Sequence, residues 1–335
     1  MQTKKADVYF CGVNQKRITE ANPVLDVTNL RHLYNFIHRR YIIHLRKDVL
    51  KKDPPWINDP VLREYRFTNV RREHDRETRW LIKHITSNPD VSYSDKLLNV
   101  ILFRLFNKHE TSELIEMPIH FGEDWDPEEY RHLFTDALKD DPHRIFFTGA
   151  FITGGTKRAL KWYLPKDMPA NSMEMRVMYF MRYLYESSLL QDISKAKDQE
   201  QVFLTLSSVM GIGPFLGYQM FVDMTYIAEF PFSENEFVVA GPGCRNGLNY
   251  LFKDKDGMSY EECIFWVRDN IEREFEEQLG LSLNPHRLFW DLPEEDRCLN
   301  VMSLENCFCE LSKYIRASTN TGRPRKKYKQ NEEEI

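Results

Sequence analysis

The sequence predicts an all-α protein with little or no β structure. Three observations carry that prediction. Apolar residues recur at spacings of three and four along most of the chain, the period of a helix. Strict alternation of β-branched and polar residues is rare. Glycine is scarce, at 14 of 335 residues. A chain of this length suits one or two subdomains. Its 42% hydrophobic and 29% charged residues fit a globular protein with a sizeable core. The formal net charge of -5 excludes a uniformly basic nucleic-acid binder, so any anion-binding face must be local.

Residues 1–24 read as an N-terminal extension without the apolar stretch of a secretion signal. A helix over 27–50 places Leu30, Leu33, Tyr34, Ile37, Tyr41 and Leu45 on one stripe, with Asp26 or Thr28 as its cap. Three prolines make 53-DPPWINDPVL-62 an extended connector. Further helices are predicted at about 73–87, 94–107, 127–139, 172–192, 198–209, 214–228, 259–278 and 301–316. The Met- and Tyr-rich helix over 172–192 reads as a buried packing helix. The stretch 145-IFFTGAFITGG-155 reads as a short strand pair or a helix-breaking loop. The helical body spans 25–316, in one or two lobes, and 317–335 reads as a basic tail, disordered when unbound.

No apolar run approaches the roughly 18 residues of a membrane span. The six cysteines have no C-x-x-C spacing, so free thiols and no metal site are expected, in a reducing cytoplasmic or nuclear compartment.

The sharpest motif is 207-SSVMGIGPFLGYQMF-221. Gly211-Ile212-Gly213 breaks one helix, and Pro214 opens the next at its tolerated first position. One reading is a plain turn between core helices. The other is a grip on DNA: the glycines let backbone N–H groups approach a phosphate, while Ile212 anchors the turn in the core. The run over 198–228 resembles the hairpin of the helix-hairpin-helix DNA glycosylases. That resemblance implies a glycosylase-like helical fold and admits a monovalent cation at the hairpin. The chain departs from it downstream, where those enzymes carry an aspartate leading into an arginine. Arg245 is present, but Gly241-Pro242-Gly243 stands where the aspartate is expected. Routine base excision needs that carboxylate, so the departure argues against it. The nearest spare acid is Asp223, in an otherwise apolar helix, read as either a core ion pair or a functional group.

From Val61 to His84 there are seven Arg/Lys against four Asp/Glu. Arg72, Arg76 and Arg79 share a helical face. Arg66 and Arg71 add to them, and Trp56, Tyr65, Phe67 and Trp80 interleave. A solvated, ion-paired helix face accounts for such a pattern, and so do guanidinium contacts to phosphate with aromatic stacking on bases.

The stretches 54-PPWINDP-60, 65-YRFTNVRREHDRETRWL-81, 147-FTGAFITGG-155, Gly241-Pro242-Gly243 and 305-ENCFCELSKY-314 are similar to the helical domain found with phage 5-hydroxymethyl-deoxyuridine DNA kinases. They also resemble the α-glutamyl/putrescinyl-thymine pyrophosphorylases of DNA base hypermodification. The resemblance spans residues 25–316. It implies double-stranded DNA as partner, a separate 5-hmdU DNA kinase as a second partner, and an amine co-substrate. The implied reaction flips a modified pyrimidine and substitutes its phosphorylated 5-methylene with an amine. No G-x-x-x-x-G-K-[ST] motif is present, which argues against a self-contained kinase.

On this reading Arg72 and Arg76 hold the leaving phosphate, Asn69 meets the edge of the base, and Asp75 or Asp223 accepts the amine proton. Arg245 and Gln219 line the same pocket, and Trp56, Tyr65 and Phe67 stack on the base. In the tail, Arg323, Arg325, Lys326 and Lys327 resemble an AT-hook core for the minor groove. The competing readings are a glycosylase or lyase for a modified pyrimidine and a non-catalytic DNA-binding module that recruits a kinase.

Overall fold

The computed structural model describes residues 13–149, 151–166, 172–322, 324, 327 and 328. The α-helices are α1 (Gln15–Glu20), α2 (Val27–His44), α3 (Pro60–Glu64), α4 (Arg76–Leu81), α5 (Tyr93–Phe106), α6 (His109–Leu114), α7 (Arg131–Asp140) and α8 (Gly154–Ala159). They continue with α9 (Met173–Glu186), α10 (Leu189–Lys195), α11 (Gln199–Ser208), α12 (Gly213–Met224), α13 (Pro242–Leu251), α14 (Tyr260–Leu279), α15 (Pro285–Leu288) and α16 (Val301–Ser318). Among the described residues, the strands are β1 (Val24–Leu25) and β2 (Phe252–Asp254), paired antiparallel. The chain is therefore all-α. No described helix is long and apolar enough to cross a membrane. The described cysteines, Cys244, Cys263, Cys298, Cys307 and Cys309, are free.

The helical caps explain why these segments begin where they do. Asp26 accepts a hydrogen bond from the Asn29 N–H at the start of α2. Asp59 accepts from the N–H groups of Val61 and Leu62, so the proline-rich connector ends in α3 instead of running extended to residue 62. Ser259 and Glu262 form a reciprocal capping box on α14. The stretch 145–153 is irregular, and α8 begins at Gly154, where Thr153 caps it.

The chain divides into two compact units, Arg76–Glu236 and residues 13–75 with 237–328. In the first, α5 is buried from Asp95 to Phe106 and forms the centre of the core. Its Arg104 meets Asp223 of α12 through two hydrogen bonds, Nε to Oδ2 at 2.5 Å and Nη2 to Oδ1 at 2.6 Å. Asn107 takes a third guanidinium hydrogen bond at 2.6 Å.

In the second unit, α2, α13, α14 and α16 pack around Leu30, Leu33, Phe36, Leu248, Phe275 and Phe308, all essentially inaccessible. Helix α13 lies directly on α16. A Cβ at Gly247 would stand 2.1 Å from the Phe308 carbonyl oxygen and 2.7 Å from its carbon. Backbone cannot yield as a side chain can, so only glycine fits there. Gly247→Ala is expected to destabilise by about 2 kcal/mol in a urea titration, with overpacking outweighing alanine's helix preference. Gly243→Ala meets the Cys309 sulfur and should cost less.

Candidate active site

The site is assembled where α13 begins. Consecutive backbone N–H groups there hold two carboxylates: Ala240 donates to Glu261 at 3.0 Å and Gly241 to Glu305 at 3.3 Å. Glu261 is buried in the first turn of α14, and Glu305 is half-buried on α16. A Cβ at Gly241 would lie 3.3 Å from the Glu305 carboxylate, a tight contact that a shift of a few tenths of an ångström would relieve. Arg245, one turn into α13, donates from Nε to the Ala240 carbonyl at 2.9 Å and places Nη2 3.7 Å from Glu261. The Gly-Pro-Gly run is thus a carboxylate cradle that opens a helix.

Desolvation pushes the Glu305 carboxyl up to about 7, against the pull of the Gly241 amide, Arg72 and Lys313, while Glu261 adds to the rise. Glu261 is also raised, again chiefly by burial. A carboxyl that retains access to solvent and exchanges its proton near neutrality is suited to general acid–base work.

The loop 67–75 faces the same cluster. Arg40 on α2 donates from Nε to the carbonyls of Phe67 and Thr68 at 3.2 and 3.1 Å. Asn306, beside Glu305, donates to the Asn69 carbonyl at 3.0 Å. Asn69 in turn holds Asp75 with its backbone N–H at 2.9 Å and its amide nitrogen at 3.0 Å. Burial raises the Asp75 pKa against those hydrogen bonds and the charges of Arg40 and Arg72. The Arg72 charge therefore acts on both Asp75 and Glu305. Arg40 Nη1 and Asn69 Oδ1 are buried without a hydrogen-bond partner among the described residues. Buried polar atoms are rarely left so.

The structure brings Arg72, Asp75, Asn69 and Arg245 into one unit, and it corrects several other expectations. Asp223 and Gln219 belong to the other unit, where Asp223 is fully buried against Arg104 and Gln219 is buried along α12. Asn69 spends its amide nitrogen on Asp75 and the His74 carbonyl, so its role is to orient the carboxylate. Tyr65 and Phe67 are core residues, and Phe67 packs edge-on against Phe36 and Tyr314. Trp56 is half-buried against Tyr328, with its indole N–H bound to the Lys52 carbonyl. None of the three is a free stacking platform.

Arg71 is buried and bound to Glu73 and the carbonyls of Asp296 and Cys298, which removes it from any DNA face. Arg66, Arg76 and Arg79 remain exposed, although Arg76 pairs with Glu77. Lys327 pairs with Glu64 at 2.7 Å. Arg323, Arg325 and Lys326 lie outside the described residues.

Gly211, Ile212, Gly213 and Pro214 join α11 to α12 in a tight turn. Gly211 and Gly213 have φ of 107° and 66°, conformations that side-chain-bearing residues rarely adopt, and Ile212 is buried beneath them. His44, His74 and Asp291 also converge in the second unit. The two imidazoles stack in parallel at 3.9 Å, so their in-plane lone pairs cannot both point at one ion, and both His44 nitrogens already meet carboxylates.

Sequence reasoning missed Glu305 and Glu261. The signal for Glu305 was present: it interrupts the buried stripe Val301, Leu304, Phe308, Leu311 of α16. Glu261 sits in a helical first turn, where acids are ordinary.

Together the fold and site define an all-helical protein with a protonatable carboxylate set among arginines. Residues 28–323 match the model of the family described as 5-hmdU DNA kinase, helical domain, and the chain belongs to that family. The 5-hmdU DNA kinase of Bacillus phage SP10 is 26% identical over 298 residues, covering 85% of this chain and 44% of the phage protein. The chain thus spans less than half the length of this curated relative. No solved structure matches it.

Proposed function

We propose that the chain is a DNA base-modifying enzyme that acts on 5-hydroxymethyluracil in DNA and replaces the phosphorylated oxygen of the 5-methylene with an amine. The observation that carries this reading is the geometry at Glu305, a half-buried carboxylate held by the Gly241 N–H beside Glu261 and pushed up by burial within the field of Arg72. The relative's name supplies the base and the polymer. A methylene inside a duplex is hard to reach, so the target nucleotide leaves the stack. The amine lone pair attacks the methylene carbon. The C–O bond to the phosphate or pyrophosphate breaks, and that anion departs with the electron pair. The nitrogen gives its proton to the Glu305 carboxylate. Arg72 and Arg245 offset the charge of the departing anion. The turn at Gly211–Gly213 approaches the DNA backbone with its two glycines.

A second reading has one observation in its favour: the phage relative is named a kinase. Glu305 would then take the proton of the hydroxymethyl group as its oxygen attacks the terminal phosphorus of a nucleotide held by other parts of such a protein, and the P–O bond to the departing nucleoside diphosphate breaks.

Nucleoside mass spectrometry separates these readings. Hydroxymethyluracil DNA, with and without prior phosphorylation, is incubated with the protein plus ATP or candidate amines and then digested. An amine-substituted nucleoside from the phosphorylated DNA is expected. A phosphorylated nucleoside formed from ATP would favour the second reading. Abasic sites would indicate a glycosylase. Unchanged DNA in every arm would leave a non-catalytic DNA-binding module.

A further inference from the structure

The turn between α11 and α12 has an unusual electrostatic setting. Residues 201–222, which include the turn and most of both helices, carry no charged side chain. The segment that seats the turn is basic. Between residues 142 and 166 there are five Lys/Arg and no acid, in a chain whose net charge is -5. The seating is direct. A Cβ at Gly211 would rest 3.5 Å from the Leu160 side chain and 3.6 Å from that of Ala159. Tyr163 donates from its hydroxyl to the Met210 carbonyl at 2.8 Å.

Lys157, Arg158 and Lys161 are exposed on and just after α8. Between Lys161 and Tyr163 stands Trp162, 77% exposed. A tryptophan is normally well buried, and one this accessible is open to a partner. Phe215, on the first turn of α12, is 45% exposed and stacks on Phe151.

We propose that the turn 209–213 and the segment 157–162 form one DNA-binding face, in which Lys157, Arg158 and Lys161 neutralise phosphates and Trp162 stacks on a base. Charge complementarity selects the partner: cations, backbone amides at positive-φ glycines and an aromatic plane, with no carboxylate in either segment to repel a polyanion. This inference names the DNA-holding surface that the functional reading above requires, and rests on that reading only for the choice of DNA.

The test is a fluorescence-anisotropy titration of a labelled unmodified duplex, and of the same duplex with one unpaired base, at several salt concentrations. The Lys157→Ala/Arg158→Ala/Lys161→Ala variant is expected to reduce the slope of log affinity against log salt by about 2 to 3. Trp162→Ala should leave the slope intact and weaken binding about tenfold or more, most on the duplex with an unpaired base, while Trp162→Phe retains most of the affinity. These side chains are exposed, so thermal unfolding should not shift. Unchanged slope and affinity in these variants would overturn the proposal, as would absence of DNA binding by the wild type. Wild-type affinity in Trp162→Ala would overturn the stacking role alone. Salt-dependent binding through this face with no base conversion would sink the enzymatic reading and leave the surface standing; conversion unaffected by the triple variant would do the reverse.

Discussion

Asp223→Asn is expected to destabilise the protein by about 3 to 5 kcal/mol, a loss a urea titration would resolve easily. Asp223 is 0% exposed and Arg104 3%, and two hydrogen bonds join them. Neutralising the acid leaves a guanidinium buried without its counter-charge. The pair itself need not be a large net gain, because desolvating both ions offsets most of their attraction. Hence Arg104→Met with Asp223→Leu should cost far less than Asp223→Asn alone. If Asp223→Asn unfolds at the wild-type urea midpoint, the ion pair is not what holds α5 to α12. The variant also bears on chemistry. Once its stability loss is allowed for, Asp223→Asn should retain base-modifying activity.

Asp223 shows what the sequence made legible and where that stopped. An acid in an apolar helical run signals either a buried pair or a working group, and the sequence offered both. Arg104 stands 119 residues away, so no local pattern could decide. The long helices were legible because each buries a stripe at helical spacing, as in α2, α5, α14 and α16. Short ones were not. Helix α13 was missed because its start reads Gly-Pro-Gly, a breaker by composition, yet Gly241 and Pro242 are the cap and first turn of a helix. The two-stranded pair of β1 with β2 is too short for alternation to register.

The candidate site was half legible for a related reason. Arginine density drew attention to residues 61–84, the stretch that holds Arg72 and Asp75 of the candidate cluster. The same density misread Arg71, whose guanidinium is a buried clamp on the 296–298 carbonyls. Interleaved aromatics looked like a stacking platform, but Phe67 is buried against Phe36 of α2 and Tyr314 of α16. Glu305 lies in a stretch that the resemblance already included. It went unassigned because its significance depends on Gly241 and Glu261, which only the fold brings to it.

Glu305→Gln is expected to lower the rate of base modification by roughly 10²- to 10⁴-fold, the range for loss of a positioned general base. The isostere keeps the packing and removes the exchangeable charge. The pH dependence gives a second readout. A base that must be ionised makes the wild-type rate rise with pH and level off above about 7, where Glu305 has lost its proton. That limb should vanish from the residual rate of Glu305→Gln. Stability runs the other way. The folded pKa of about 7 lies above the ordinary value of 4.5, so the folded state binds this proton more tightly than the unfolded chain. The stability it contributes is complete below pH 4.5 and is lost as pH rises through about 7. Glutamine cannot ionise, so relative to the wild type the variant should gain stability from pH 5 to 8, by at most about 3 kcal/mol. A variant that loses its rate but gains stability at high pH cannot be explained by unfolding. Retained rate with an unchanged pH profile would remove Glu305 from the chemistry and leave the carboxylate as a cap on α13.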